Sequence, residues 1–235
     1  MFSQVWHLLA AGDAATWHIV GVSLRVSGAS VLLGLLLGLP LGLPLGAWLA
    51  VHAFTGRGVV VALLNSLLGL PSVIVGLLVY LLLSRSGPLG ELGLLFSVPA
   101  MVLAQTILTT PLIAAVTRQI VAESWRLHGD TLRSLRLGAL QRVRWLLWDC
   151  RHALVVAALA GFGRAVSEVG AVMIAGGNIE GYTRTMTTAI ALETSKGDLP
   201  LALALGAVLM TLVLGVNAAA ALLRQYAAAR YGEGA

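Results

Sequence analysis

The sequence predicts an all-α integral membrane protein, a single transmembrane domain over 1–235 with five helical spans and a long basic loop. Three observations carry that expectation. Of 235 residues, 58% are hydrophobic and 11% are charged, against about 25% charged in an average soluble domain. Long stretches hold no ionised side chain. The basic residues crowd into one segment instead of covering a surface. The same balance excludes intrinsic disorder, which needs low hydrophobicity and high charge. One cysteine, Cys150, excludes an intrachain disulfide and a multi-thiolate metal site.

Each span follows from the charges that bound it. Residues 26–56, 58–84, 92–117 and 199–223 carry no Asp, Glu, Lys or Arg. A bilayer core of about 30 Å needs about 20 apolar residues at about 1.5 Å each. A fifth stretch opens after Arg151 and continues through Arg164 and Glu168. The expected spans are 26–50, 59–83, 97–118, 153–176 and 199–222, with a cytoplasmic loop at 119–152. Backbone groups must be satisfied inside lipid, which requires helices here because period-2 alternation is absent.

Arginine distribution sets the expected orientation. Arg118, Arg126, Arg133, Arg136, Arg142, Arg144, Arg151, Arg57, Arg224 and Arg230 fall on one side. Arg25, Arg85, Arg184 and Lys196 fall on the other. The positive-inside rule puts the 119–152 loop and the C-terminus in the cytoplasm and the N-terminus outside. The N-terminal stretch lacks a basic region and carries Asp13, so it is not expected to be a removable signal. Trp6 and Trp17 suit either an interfacial helix or the start of the first span.

Glycines and prolines mark packing. Gly34, Gly38, Gly42 and Gly46 recur every four residues, with Pro40 and Pro44 among them. Small residues at this spacing let helices approach closely, and prolines bend or interrupt the ladder. Tight packing and a flexing segment are both open readings, also at Pro71 and Pro111.

The basic loop has its own pattern. Leu127, Leu132, Leu135, Leu137, Leu140, Val143, Leu146 and Leu147 recur at roughly helical spacing among arginines, and Gly138 interrupts them. The segment could rest on anionic lipid headgroups or dock a cytoplasmic partner. Nucleic-acid binding is not expected, because no separate soluble fold carries the patch.

These residues resemble the coupling loop of importer-type ABC permeases, whose Ala-rich motif is followed by Leu-Gly-Ala. Leu137, Gly138 and Ala139 match the Leu-Gly-Ala part, while Leu132, Arg133 and Ser134 stand where Glu-Ala-Ala is usual. Trp148, Asp149, Cys150 and Arg151 stand where Ile-x-Leu-Pro is usual. The block 164–198, RAVSEVGAVMIAGGNIEGYTRTMTTAIALETSKGD, is similar to the molybdate/tungstate branch of these permeases, and most similar to the tungstate permeases. The stretch 65–97 resembles the same group. The resemblance implies a five-helix permease with a cytoplasmic coupling helix, working as a homodimer. It implies an ABC ATPase docked on 123–149 through Leu132, Arg133, Ser134, Leu137, Gly138 and Ala139. ATP and magnesium would then belong to that ATPase, with no cofactor in this chain. An extracytoplasmic oxyanion-binding protein would deliver tungstate, or molybdate.

Two charges stand inside the fourth expected span. Arg164 and Glu168, at i and i+4, share a helix face and can pair. A lone charge at the bilayer centre costs about 2.5–3.5 kcal/mol on insertion scales, so such a group faces protein or water. The pair is either an internal brace or a gate beside the pathway. Gly176, Gly177 and Asn178 then signal a turn. Thr183, Arg184, Thr185, Thr187 and Thr188 precede an apolar run, which predicts a short re-entrant or interfacial helix. Hydroxyls and backbone N–H groups can guide an oxyanion without trapping it, or can simply satisfy the loop. The expected path or gate comprises Arg164, Ser167, Glu168, Gly170, Asn178, Thr183, Arg184, Thr185, Thr187 and Thr188.

No phosphate-binding GxxxxGK[ST], metal-binding HExxH or nucleophile GxSxG motif occurs. The five histidines are scattered. Catalysis by this chain is not expected. A gradient-driven carrier would need coupling carboxylates near the midplane, and Glu168 is the sole candidate. A scaffold recruiting proteins through the basic loop is a third possibility.

Overall fold

The computed structural model describes residues 14–51 and 55–231. Helices and their connecting turns account for them, with no strand among the described residues. The helices are α1 (Ala14–Val51), α2 (Arg57–Ser66), α3 (Ser72–Leu83), α4 (Val98–Ser134), α5 (Ala139–Asp149), α6 (Arg151–Val166), α7 (Gly170–Gly176), α8 (Met186–Lys196) and α9 (Leu199–Tyr231). Ala14–Leu39, Val98–Ser134 and Leu199–Leu223 are long and apolar enough to cross a membrane. The number rises to five if the bent pairs Arg57–Gly69 with Ser72–Leu83 and Leu140–Asp149 with Arg151–Val166 each count as one span.

Helix and apolar stretch do not share boundaries. α1 begins well before residue 26 and includes Trp17, which is exposed. Trp6 lies outside the described residues. The 59–83 stretch breaks at Leu70–Pro71, where α2 ends in a 3-10 turn, Leu67–Gly69. Pro71 has no N–H to continue the ladder and adopts an extended ψ of 119° before α3. The 153–176 stretch is likewise two helices, α6 and α7, interrupted at Ser167–Val169. α4 runs through residue 118, where charge resumes, as far as Ser134. Charge ends the apolar run there and leaves the helical period intact: Val121, Trp125 and Leu132 all bury from this extension. The basic segment is therefore the end of α4, a turn at 135–138 and α5, not a separate loop.

The chain packs as two compact units. Among the described residues, the first comprises 14–32, 70–108 and 162–215. Its core joins α3 to α7 through Val79, Leu83, Ala171 and Ala175, with Ala100 and Ala104 of α4. A second cluster holds Val22, Val26, Met101 and Val172, and a third holds Val20, Val166 and Met186. The α3–α7 approach is close enough that a Cβ on Gly76 would lie 2.8 Å from the Ala171 Cα.

Among the described residues, the second unit comprises 33–51, 55–69, 109–161 and 216–231. Gly34 and Gly38 of α1 face Thr109 and Ile113 of α4, with room for no side chain: their Cβ positions fall 2.8 and 2.9 Å from those side chains. This is the tight packing that the four-residue spacing predicts. Val121, Trp125, Leu132 and Leu146 form its buried cluster, with Leu137, Val143 and Leu147 packed against it.

Candidate functional site

In the first unit the sequence candidates gather around the break between α6 and α7. α6 ends at Val166, the chain is non-helical over Ser167–Val169, and α7 starts at Gly170. Glu168 is 5% exposed, so its carboxylate needs donors. The Arg164 guanidinium supplies one at 2.6 Å, and the Ala171 N–H supplies another at 3.3 Å. The Ser72 hydroxyl hydrogen-bonds the same carboxylate. Arg164 itself is 45% exposed along its side chain, so this pair has one dry end and one open end. Ser167 is exposed, and its hydroxyl donates back to the Gly163 and Arg164 carbonyls. Gly170 permits the approach of α3: a Cβ there would lie 2.9 Å from Val73 Cγ2 and 3.0 Å from Ser72 Oγ.

The threonines frame the turn between α7 and α8. Gly177 and Asn178 both take left-handed backbone conformations, with φ of 70° and 51°, which suits these residue types. The Thr183 hydroxyl donates to the Gly176 carbonyl at 2.6 Å and accepts the Ile179 N–H at 2.9 Å. Thr185 is the N-cap of α8, and its N–H is taken by the Thr188 hydroxyl at 2.9 Å. The Thr187 hydroxyl donates to the Glu168 carbonyl at 2.7 Å and so ties α8 to the break. All four threonines are buried, with hydroxyls committed to backbone or to each other. Arg184 is mostly buried and lies 3.4 Å from Glu180. The Arg184 Nε and Asn178 Oδ1 atoms are buried without a protein partner.

Two polar residues absent from the sequence candidates hold this site. The Gln105 amide donates to the Ala165 carbonyl at 2.8 Å, and its oxygen accepts the Ser30 hydroxyl at 3.0 Å. The Ser23 hydroxyl accepts the Met186 N–H at 2.7 Å, at the first turn of α8. Both are neutral groups in apolar stretches, a signal that counting charges passes over. Gln105→Leu leaves the Ala165 carbonyl without this donor. The expected loss is about 1–3 kcal/mol of stability, measured as a lower midpoint of heat-induced loss of the monodisperse peak in detergent.

In the second unit, the coupling candidates form the turn from α4 to α5. Leu132 is fully buried, while Arg133 lies over the Trp125 ring at 5.5 Å and pairs with Asp130 at 3.2 Å. The Ser134 hydroxyl donates to the Asp130 carbonyl, closing the helix end. Arg136 takes a φ of 50°, and Leu137 turns inward onto the core. Gly138 is the N-cap of α5, in ordinary extended backbone, and its N–H donates to the Gln141 side chain at 2.9 Å. Ala139 is the first residue of α5. Leu135 and Leu140 are exposed around this turn, and Trp148 is exposed near the other end of α5. On α4, the Arg126 guanidinium donates to Glu123 Oε1 at 2.6 Å. Cys150, between α5 and α6, is buried.

Apolar helices of spanning length, a buried ion pair and a basic helical turn together make a multi-pass membrane protein. No family model matches the chain. It is 42% identical to a probable anion ABC transporter permease protein of Haloferax volcanii, over 97% of this chain and all of that protein. It is 38% identical to the tungstate uptake system permease protein TupB of Campylobacter jejuni, over 92% of this chain and 89% of that one. A molybdenum transport system permease protein of Escherichia coli is 28% identical over 77% and 82%. The chain belongs to the ABC importer permeases of the molybdate/tungstate branch. It is a permease subunit and not itself an enzyme.

Proposed function

We propose that this chain is the membrane-spanning subunit of an ATP-driven tungstate importer. The carrying observation is the near full-length similarity to a tungstate uptake permease. Molybdate is the second substrate, supported by the lower similarity to a molybdenum permease. Two copies form the pathway, each crossing an inner or plasma membrane five times, with the N-terminus outside and the C-terminus in the cytoplasm. An external oxyanion-binding protein delivers the substrate. A cytoplasmic ATPase pair, holding ATP and magnesium, docks on the turn formed by Leu132, Arg133, Ser134, Leu137, Gly138 and Ala139.

The break between α6 and α7 lies beside the pathway. Arg164 and Ser167, the exposed members, meet the passing anion. Glu168 lowers the net positive charge there, so the anion is guided and not held. Gly170, Asn178, Arg184 and Thr183, Thr185, Thr187 and Thr188 shape the rigid frame behind them. ATP-driven closure of the ATPases pushes α5 and switches the pathway between outward and inward access.

Gly138 gives a clean test of docking. Its φ of −67° suits any residue, and a Cβ there meets only Gln141 at 3.6 Å. Gly138→Arg should therefore fold normally yet lower ATP-dependent tungstate uptake at least about tenfold, the effect of roughly 1.4 kcal/mol lost at an interface. Uptake is measured as cell-associated tungsten by mass spectrometry, with molybdate in parallel. Normal uptake by a folded Gly138→Arg chain overturns the docking assignment.

A further inference from the structure

α5 ends at Asp149, and the chain then turns by 70° into α6. The Ser124 hydroxyl of α4 donates to Asp149 Oδ2 at 2.7 Å. Ser124 is 5% exposed and the Asp149 side chain 27%, so this charge-assisted bond is shielded from competing water. His128 stands one helical turn further along α4. Its Nδ1 lies 3.2 Å from the Ser124 carbonyl and 3.8 Å from Asp149 Oδ2. A carbonyl only accepts, so Nδ1 carries the hydrogen. The far side of the His128 ring meets Trp145 of α5 edge-on, with centroids 5.1 Å apart. Polar contacts thus join α4 to the joint after α5, at the end opposite the Gly138 turn, while Leu132 and Leu146 join the two helices between these ends.

We infer that Ser124, His128 and Asp149 are positioning residues, a clasp that makes α5 and the adjoining part of α4 move as one body. A push received by α5 would otherwise be spent in opening the joint at Cys150. With the clasp shut, the push reaches α4 at Ser124. The function assigned to the clasp rests on the importer reading above. Its geometry can be tested without that reading, because Cys150, the chain's only cysteine, is buried beside it.

The test uses the full chain in its own membranes, with maleimide alkylation of Cys150 as the probe. Ser124→Ala and Asp149→Ala should each be labelled about tenfold faster than the unaltered chain. The double variant should be no faster than the faster single, because both remove one contact. Ser124→Thr keeps the hydroxyl and should be labelled at the original rate. A monodisperse size-exclusion peak separates joint opening from unfolding. In purified complexes reconstituted in vesicles, the two loosened variants should hydrolyse at least threefold more ATP per tungstate transported. Unchanged labelling in Ser124→Ala, fast labelling in Ser124→Thr, or an unchanged ATP ratio in a fast-labelled variant overturns the clasp. If the unaltered complex hydrolyses no ATP in response to tungstate, the importer reading fails, and the labelling rates still decide the clasp.

Discussion

Arg164→Met is expected to destabilise the protein more than Glu168→Gln, although both break the same ion pair. The difference lies in where each partner sits. Glu168 is buried and Arg164 is half exposed. Removing the arginine leaves a carboxylate in a dry site with only the Ala171 N–H and the Ser72 hydroxyl, which costs about 3 kcal/mol, the low end for a broken buried pair. Removing the carboxylate charge leaves a guanidinium that water can reach and an amide that fits the same space, for about 1 kcal/mol. Heat-induced loss of the monodisperse peak should rank the variants in that order. The double variant Arg164→Met with Glu168→Leu should recover most of the stability, because a buried pair exchanged for apolar groups is often neutral. Its uptake separates brace from gate. Restored uptake with restored stability assigns the pair to bracing. Restored stability with uptake still lost assigns it to the pathway.

Gly76→Val is expected to leave almost no folded chain. The Cβ would stand 2.8 Å from the Ala171 Cα and 3.2 Å from its carbonyl oxygen. Those are backbone atoms of α7, so no rotamer change relieves the contact. Overpacking by a few carbons costs typically 1–3 kcal/mol, and here it would also part Val79 and Leu83 from Ala171 and Ala175. Gly28→Ala is the matched control: it lies on α1 with nothing within 4 Å of the added carbon. The yield of monodisperse protein per unit of membrane should fall at least about tenfold for the first and remain level for the second.

Much of this architecture is legible in the sequence because charge is expensive in lipid. Charge-free stretches locate the long helices, and the spacing of Arg164 and Glu168 announces their pairing. Gly138 announces the turn before α5. Other features are invisible to the same reasoning. Charge marks where an apolar run stops but does not itself end a helix, which is why α4 continues to Ser134. In sequence Pro71 reads equally as tight packing or as a flexing segment, and its extended ψ makes it a break. The threonines of 183–188 carry no sign of whether their hydroxyls face a pathway or a carbonyl. Gln105 and Ser23 are neutral, and their partners are remote in sequence. Gly76 looks like any glycine in an apolar helix until Ala171 is placed against it.

The brevity of α3 bears on how the protein is made. Its 12 residues span about 18 Å, and a stable transmembrane segment needs about 30 Å. Its packing partner, α7, is shorter still and leaves the ribosome roughly a hundred residues later. During synthesis the Gly76 face of α3 is therefore made before its counterpart. Fusions truncated before Gly170 should therefore be degraded faster than fusions truncated after Gly176.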